Sequence, residues 1–184
     1  FLENNCLVDI VEVDRKAISK VPKQAHKIIG KSIEDNTIIK DLSKDYDFIV
    51  VADVIEHLVF PERALMNLKK VADKNTKLLI STPNIACWAI RKDLFFKGQF
   101  EYQESGILDK THLHFYTPDN LQSLLIKNGW RIENILGTIT RIPLEGIFSR
   151  IPVVYFLFNK LIKGPITKRY KNLSFVHFLV TAHL

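Results

Sequence analysis

Short apolar runs alternate with amphipathic helical patterns along the sequence, and this alternation constrains the fold more than any other feature. Three runs, at residues 7–13, 48–52 and 76–82, are rich in apolar and β-branched residues. Strands that are covered on both faces of a parallel sheet have this composition. Helical patterns at residues 16–21 and 61–71 lie between the runs. The order strand, helix, strand predicts a doubly wound α/β domain.

The second half of the sequence continues the same pattern. A helix is predicted at residues 118–128, where Gly129 is suited to end it, and a strand follows at residues 130–136. The last strand is predicted at residues 175–182. Since no repeat or low-complexity linker divides the 184-residue chain, we expect residues 1–184 to form a single domain with an insertion at residues 83–116.

Composition excludes several classes of protein. With 47% apolar and 25% charged residues, the chain resembles an average globular domain, and disordered or fibrous proteins are excluded. The longest apolar run, residues 151–158, is far shorter than the roughly 17 residues that a membrane-spanning helix needs. No signal peptide is recognisable. The two cysteines, Cys6 and Cys87, are expected to be thiols in a reducing compartment, which predicts a cytoplasmic protein.

The net charge of +6 lies entirely in the last quarter of the chain. Residues 141–184 contain seven basic residues, and Glu145 is their sole acidic one. Within residues 141–171 the apolar positions recur at helical spacing, which predicts a basic, amphipathic segment before the last strand. This segment could contact a membrane surface or a lipid-linked acceptor, or it could pack on the domain or a second subunit. Nucleic acid is not an expected partner, because the aromatic residues are not interleaved with basic ones.

Polar residues interrupt the apolar pattern where the predicted strands end. They lie at residues 12–14, 52–57 and 82–84. Ligands of open α/β sheets bind outside the carboxyl ends of the strands, so these three positions predict the functional site.

Three motifs make the sequence similar to a known family. They are YDFIVVADVIEHL at residues 46–58, STPN at residues 81–84 and GILDKTHLHFYT at residues 106–117. In this order and spacing they resemble the class I S-adenosylmethionine-dependent methyltransferases, and the third resembles a segment of those that accompany bacterial polysaccharide and glycan synthesis. The resemblance implies a Rossmann-like, mostly parallel sheet, S-adenosylmethionine as cofactor, and methyl transfer to a hydroxyl of a glycan or other small acceptor. The alternative is a non-catalytic module of the same fold that binds a partner or a membrane surface.

The sequence departs from this family at its beginning. The family's glycine-rich loop lies about 20 residues before the acidic residue that ends the second strand. Glu12 matches that acidic residue, and none of the seven glycines forms a GxG pair. We therefore expect a truncated chain that lacks the family's first strand, its glycine-rich loop and most of its first helix, with impaired activity.

The resemblance also assigns the cofactor site. Glu12 is expected to accept hydrogen bonds from the ribose hydroxyls, with Asp14 as the rival, and Asp53 is expected to lie beside the cofactor. The adenine position is open, because Lys31 and Ser32 stand where the family has an acidic residue. Glu34 or Asp35 could substitute for it; these two acids are not assigned further.

Two histidines are candidates for catalysis. A hydroxyl acceptor must lose its proton during methyl transfer, and imidazole has a pKa suited to accept it. His112 is the first candidate for binding or deprotonating the acceptor, and His57 is the second. His112 and His114 could share one face of an extended segment and bind a metal ion, yet no third ligand is apparent, so no metal site is predicted.

The acceptor side is predicted more coarsely. Asn84, His114 and Tyr116 are expected to bind the acceptor, which would be a small molecule or a glycan. Aromatic residues of the insertion could form a wall for a sugar, or they could belong to the core; they are Trp88, Phe95, Phe96, Phe100, Tyr102 and Tyr116. The identity of the acceptor and the oligomeric state are not predicted.

Overall fold

The computed structural model describes residues 6–139 and 175–184, together with residues 152, 156 and 173. In residues 6–139 and 175–184, six strands form two sheets and four α-helices lie among them. The strands are β1 (Asp9–Val11), β2 (Lys27–Ile29), β3 (Phe48–Ala52), β4 (Lys77–Pro83), β5 (Arg131–Ile139) and β6 (Phe175–His183). The helices are α1 (Arg15–Ile18), α2 (Pro61–Val71), α3 (Trp88–Lys97) and α4 (Pro118–Lys127), and 3₁₀ turns occur at Asn36–Lys40 and Ile55–His57.

The sheet order confirms an α/β fold of the Rossmann-like type but shows a mixed pairing. β1 pairs with β2 in parallel, and the four-stranded sheet has the order β3-β4-β6-β5. β3 and β4 are parallel, whereas β6 is antiparallel to both β4 and β5. The fold class is therefore confirmed. β3, β4 and β5 run in one direction, and β6 is the one reversed strand of this sheet, inserted between β4 and β5.

α2 shows why the local sequence forms its element. Pro61 occupies the first turn, where its missing N–H costs no hydrogen bond. Leu65 and Leu68 are buried on the same face, and they pack in a core that also contains Leu78 of β4 and Val180 of β6. The helix is thus amphipathic, and its apolar face covers one side of the four-stranded sheet.

Several predicted boundaries were corrected. The helix at residues 16–21 is the short α1, the strand at 7–13 shrinks to β1, and the strand at 130–136 extends to residue 139. The insertion at residues 83–116 contains α3, which the sequence did not predict. The predicted basic segment at residues 141–171 lies outside the described residues apart from positions 152 and 156.

The Asp9 carboxylate connects the two sheets. Its side chain is 5% exposed and accepts hydrogen bonds from the Tyr46 hydroxyl (2.7 Å) and the Ser43 hydroxyl (3.0 Å), both in the loop before β3. His26, which precedes β2, places Nδ1 2.7 Å from the same carboxylate. Because β1 and β3 share no ladder of hydrogen bonds, this cluster is one of the polar contacts that join β1 to the loop before β3.

No helix in the described part of the chain is long and apolar enough to cross a membrane. The two cysteines do not form a disulfide: Cys6 is exposed and Cys87 is buried.

Candidate active site

The end of β3 carries a strained turn. Asp53 has a φ of 50°, which a residue other than glycine adopts rarely and at a cost. The turn is held by β4, since Asp53 N–H donates to the Ser81 carbonyl (3.1 Å) and the Ser81 hydroxyl donates to Asp53 Oδ1 (3.0 Å). Asp53 remains exposed beside this edge, where the resemblance places the cofactor.

Glu56 follows in the 3₁₀ turn and is 1% exposed. Neither of its carboxylate oxygens has a hydrogen-bond partner among the described residues, and the hydroxyl of the buried Thr82 lacks one as well. Burial raises the pKa of the Glu56 carboxyl. Burying a carboxyl group without hydrogen-bond partners costs free energy of folding. A purely structural role therefore does not explain why Glu56 is buried here.

The insertion folds back onto this turn. The Glu56 carbonyl accepts hydrogen bonds from the backbone N–H groups of Leu113 (2.8 Å) and His114 (3.0 Å). Gly106 opens the segment with a φ of 94°, a backbone conformation that suits glycine. Residues 106–117 therefore lie over the carboxyl edge of the sheet, where an acceptor would have to meet the cofactor.

This arrangement brings the two candidate histidines together. The rings of His57 and His112 are edge to face with centroids 4.7 Å apart. His57 is exposed, whereas His112 is 9% exposed. One ligand atom each from Glu56, His57 and His112 lies within 4.8 Å of the others. The structure thus joins His112 to His57 and Glu56.

Backbone carbonyls fix the orientation of both rings. His57 Nδ1 lies 3.1 Å from the Thr111 carbonyl oxygen, and His112 Nδ1 lies 3.1 Å from the Ile107 carbonyl oxygen. A carbonyl can only accept, so each Nδ1 donates, and in a neutral ring the lone pair is then on Nε2. Asp109 supports the first contact, because its Oδ1 accepts from both the N–H (2.8 Å) and the hydroxyl (2.7 Å) of Thr111.

Asn84 and Tyr116 connect the strand end with the insertion. They form an isolated parallel bridge, and both are buried. The Asn84 side chain donates to the Phe175 carbonyl (2.7 Å) and accepts from the Ala86 N–H (3.0 Å). His114 is half-buried, with its ring centroid 6.1 Å from that of Tyr116. These contacts are structural, and acceptor binding by Asn84, His114 and Tyr116 stays a prediction.

Glu12 and Asp14 follow β1 and differ in what their carboxylates do. Glu12 Oε1 accepts from the N–H groups of Val13 (2.7 Å) and Asp14 (2.8 Å), and its Oε2 has no partner among the described residues. Asp14 caps α1 by accepting from Lys16 N–H (2.8 Å). The half-buried Glu12 therefore keeps one carboxylate oxygen without a partner among the described residues, whereas the Asp14 carboxylate caps the helix.

The acids considered for adenine have structural partners. Glu34 Oε1 accepts from the Phe60 N–H, and Asp35 caps the 3₁₀ turn at Asn36–Lys40 through Thr37 N–H. Lys31 pairs with Asp41 at 2.6 Å. No residue is assigned to adenine on this basis.

The aromatic residues of the insertion are mostly exposed. Phe95 is 82% exposed and Tyr102 is 58% exposed, whereas Tyr116 belongs to the core. Phe100 and Tyr102 make ring contacts with Phe115, which in turn contacts His112 at 6.2 Å between centroids. An aromatic surface thus extends from the histidine pair.

A family model described as a methyltransferase domain matches residues 1–135. The ubiquinone biosynthesis O-methyltransferase of cattle mitochondria is 28% identical over 128 residues, and its human counterpart is 26% identical over the same length. These alignments cover 63% of this chain and 34% of each relative, so the chain spans about a third of the length of those relatives.

Solved structures show the same fold. A SAM-dependent methyltransferase from Archaeoglobus fulgidus has a TM-score of 0.62 at 16% identity, with 99% of this chain and 78% of the other covered. The magnesium protoporphyrin IX methyltransferase of Synechocystis has a TM-score of 0.51 at 14% identity, with 99% and 65% covered. The fold is therefore that of the class I S-adenosylmethionine-dependent methyltransferases. The chain belongs to the methyltransferase domain family whose model it matches.

Proposed function

We propose that this chain takes part in S-adenosylmethionine-dependent methyl transfer to a hydroxyl group of a glycan or other small acceptor. The observation that carries the proposal is the cluster of Glu56, His57 and His112 at the carboxyl edge of the sheet. An aqueous hydroxyl is a poor nucleophile until its proton is removed, and these are the titratable side chains grouped at that edge. His112 binds or deprotonates the acceptor in this proposal, with His57 as the competing residue.

The residues fit the cofactor at its ribose end. S-adenosylmethionine supplies a methyl group on a sulfonium, and the protein has to position donor and acceptor in line. Glu12 Oε2, which has no partner among the described residues, can accept hydrogen bonds from ribose hydroxyls. Asp53 directly follows β3 and precedes the turn that contains His57, and it is proposed to contact the cofactor.

Two observations support an oxygen acceptor of limited size. The mitochondrial relatives are named as O-methyltransferases. The exposed rings of Phe100 and Tyr102, which continue to Phe115 beside His112, offer faces on which a sugar or an aromatic ring can stack. A glycan of bacterial polysaccharide synthesis and a cytoplasmic location remain part of the proposal, on the resemblance of residues 106–117 and the unbridged thiols.

The separation of the two sheets supports the expectation that a strand and the glycine-rich loop precede this sequence in the family. β1 and β3 run in neighbouring sheets without pairing to each other. One further strand between them would join the sheets, and the glycine-rich loop would follow it at the carboxyl edge. We therefore propose that efficient cofactor binding needs a segment upstream of residue 1.

The experiment measures methyl transfer by a protein extended upstream. Labelled S-adenosylmethionine is incubated with a panel of hydroxyl acceptors, and turnover and cofactor affinity are determined for the parent, His112→Ala and His57→Ala. Loss of a general base costs about 10²- to 10⁴-fold in rate. We expect a loss of that order for His112→Ala, with cofactor affinity changed by less than about threefold.

The outcomes separate the alternatives. Loss of turnover in His57→Ala with no effect of His112→Ala would transfer the role to His57. Absence of methyl transfer to any hydroxyl acceptor, with normal cofactor binding, would contradict the proposal. It would favour the non-catalytic module, which none of the comparisons supports.

A further inference from the structure

Three side chains at the candidate site have the properties of metal ligands. Glu56, His57 and His112 each offer one atom, and the three atoms lie within 4.8 Å of one another. In a zinc site with bonds of about 2.0–2.2 Å, neighbouring ligand atoms are about 3.3–3.6 Å apart. Small rotations about the side-chain torsions would therefore bring the three atoms onto one ion.

The hydrogen bonds around these side chains are also those expected of metal ligands. Both imidazoles donate their Nδ1–H groups to backbone carbonyls, of Thr111 and Ile107, at 3.1 Å. Metal-binding histidines are oriented in this way by an outer hydrogen bond, which leaves the other nitrogen for the ion. Asp109 strengthens the arrangement, since it fixes Thr111 through two hydrogen bonds.

Glu56 supplies the independent observation. Its carboxylate is buried, and neither oxygen has a hydrogen-bond partner among the described residues. A buried carboxylate normally finds a donor or a cation, because its desolvation is otherwise uncompensated. A cation held by Glu56 and the two imidazoles would satisfy this group.

We infer that Glu56, His57 and His112 bind a divalent cation of the zinc type, and that this cation holds the oxygen of the acceptor's hydroxyl. Imidazole ligands favour such ions over magnesium and calcium, which prefer oxygen. Three protein ligands leave a fourth position, and the exposure of His57 places that position toward solvent, as in catalytic zinc sites.

The role in catalysis rests on the proposed function. A cation-bound hydroxyl loses its proton to water more readily than a free one. The resulting oxygen attacks the methyl carbon, a C–O bond forms, and the C–S bond of the sulfonium breaks with its electron pair remaining on sulfur. The histidines would then act as ligands, and the ion would activate the hydroxyl.

The direct test measures metal binding without cofactor or acceptor. The chelator-treated protein is titrated with Co²⁺, whose visible absorption reports coordination by nitrogen and oxygen, and Zn²⁺ is used to displace it. We expect one site. Glu56→Gln, His57→Ala and His112→Ala should each weaken Co²⁺ binding by at least about tenfold, since even outer partners of a ligand are worth 10- to 100-fold.

A matched control keeps the test specific. His183→Ala removes a histidine near the end of β6 and should leave Co²⁺ binding unchanged. Circular dichroism checks that each variant is folded, and the near-isosteric Glu56→Gln covers the case in which a histidine variant unfolds. Absence of Co²⁺ binding, or binding that survives Glu56→Gln and His112→Ala, would overturn the inference.

Methyl transfer assayed in the presence of chelator separates the two proposals. Activity that stops with chelator and returns with Zn²⁺ or Co²⁺ supports the inference. Full activity with chelator overturns the metal and leaves the proposed function standing. Specific Co²⁺ binding without methyl transfer to any hydroxyl would leave the metal site in place and contradict the proposed function.

Discussion

Replacing Asp9 by alanine is expected to lower the free energy of unfolding at pH 7 by about 2–4 kcal/mol. Hydrogen bonds to a charged group contribute about 1.5–3 kcal/mol each, and Asp9 accepts two from hydroxyls, those of Tyr46 and Ser43. The Ser43 hydroxyl can turn to water in the variant, which keeps the loss below the sum of the two. The contact with His26 adds little, because that imidazole is 52% exposed.

The expected effect of pH on the free energy of unfolding follows from the pKa of Asp9. Burial raises the pKa of Asp9, but the hydrogen bonds from Tyr46, His26 and Ser43 outweigh it, and the net pKa lies below the ordinary value of 3.8. A carboxyl group whose pKa is lower in the folded state stabilises the fold above its unfolded pKa. That stabilisation is lost as the pH falls through the folded pKa, so the difference between parent and Asp9→Ala should shrink below about pH 4.

Urea denaturation followed by circular dichroism measures both quantities. The curves are recorded at pH 7 and at steps down to about pH 3, and Asp47→Ala serves as the control. Asp47 is exposed in the loop before β3, and its side chain has no partner among the described residues, so a change within about 0.5 kcal/mol is expected. A difference for Asp9→Ala that stays constant or grows as the pH falls would refute the hydrogen-bond argument.

Three further substitutions test the cofactor end, the strand pairing and the core. In the protein extended upstream, Glu12→Ala should weaken S-adenosylmethionine binding by about 1–3 kcal/mol in a calorimetric titration, and a larger effect of Asp14→Ala would contradict the assignment. Gly137→Ala places a Cβ against the ring of Phe175, and this overpacking should cost about 1–3 kcal/mol in urea denaturation. Leu65→Ala removes a side chain that is 1% exposed and should cost about 2–5 kcal/mol, which a calorimetric unfolding scan would detect.

The regular elements were predictable where local signals and burial agree. β3 has the predicted limits because its apolar run lies between two aspartates, and α2 has them because Pro61 marks its start. α3 gave no such signal. None of its residues is buried, and its apolar side chains do not form one stripe, so hydrophobic periodicity could not reveal it. The antiparallel direction of β6 depends on contacts with strands distant in sequence.

The candidate site was predictable for its histidines and not for its geometry. His112 and His114 were expected to share a face only if their segment were extended. A bend at Leu113, whose N–H bonds to the Glu56 carbonyl, separates them and turns His112 toward His57. Glu56 was missed because its burial arises when residues 106–117 close over the turn. The position of Glu56 directly before His57 in the motif was the one signal that could have drawn attention to this carboxylate.

Because of where Asp9 lies, its hydrogen bonds also affect the geometry of the candidate site. Glu12, the candidate ribose ligand, is on the small sheet three residues after Asp9, whereas Glu56, His57 and the strained Asp53 follow β3 of the large sheet. Methyl transfer requires donor and acceptor to be aligned to within a fraction of an ångström. Since β1 and β3 do not pair, the hydrogen bonds that Asp9 accepts from the loop before β3 help to hold the cofactor end of the site in place relative to its acceptor end. A single buried carboxylate can therefore influence the geometry of a reaction whose groups it does not touch.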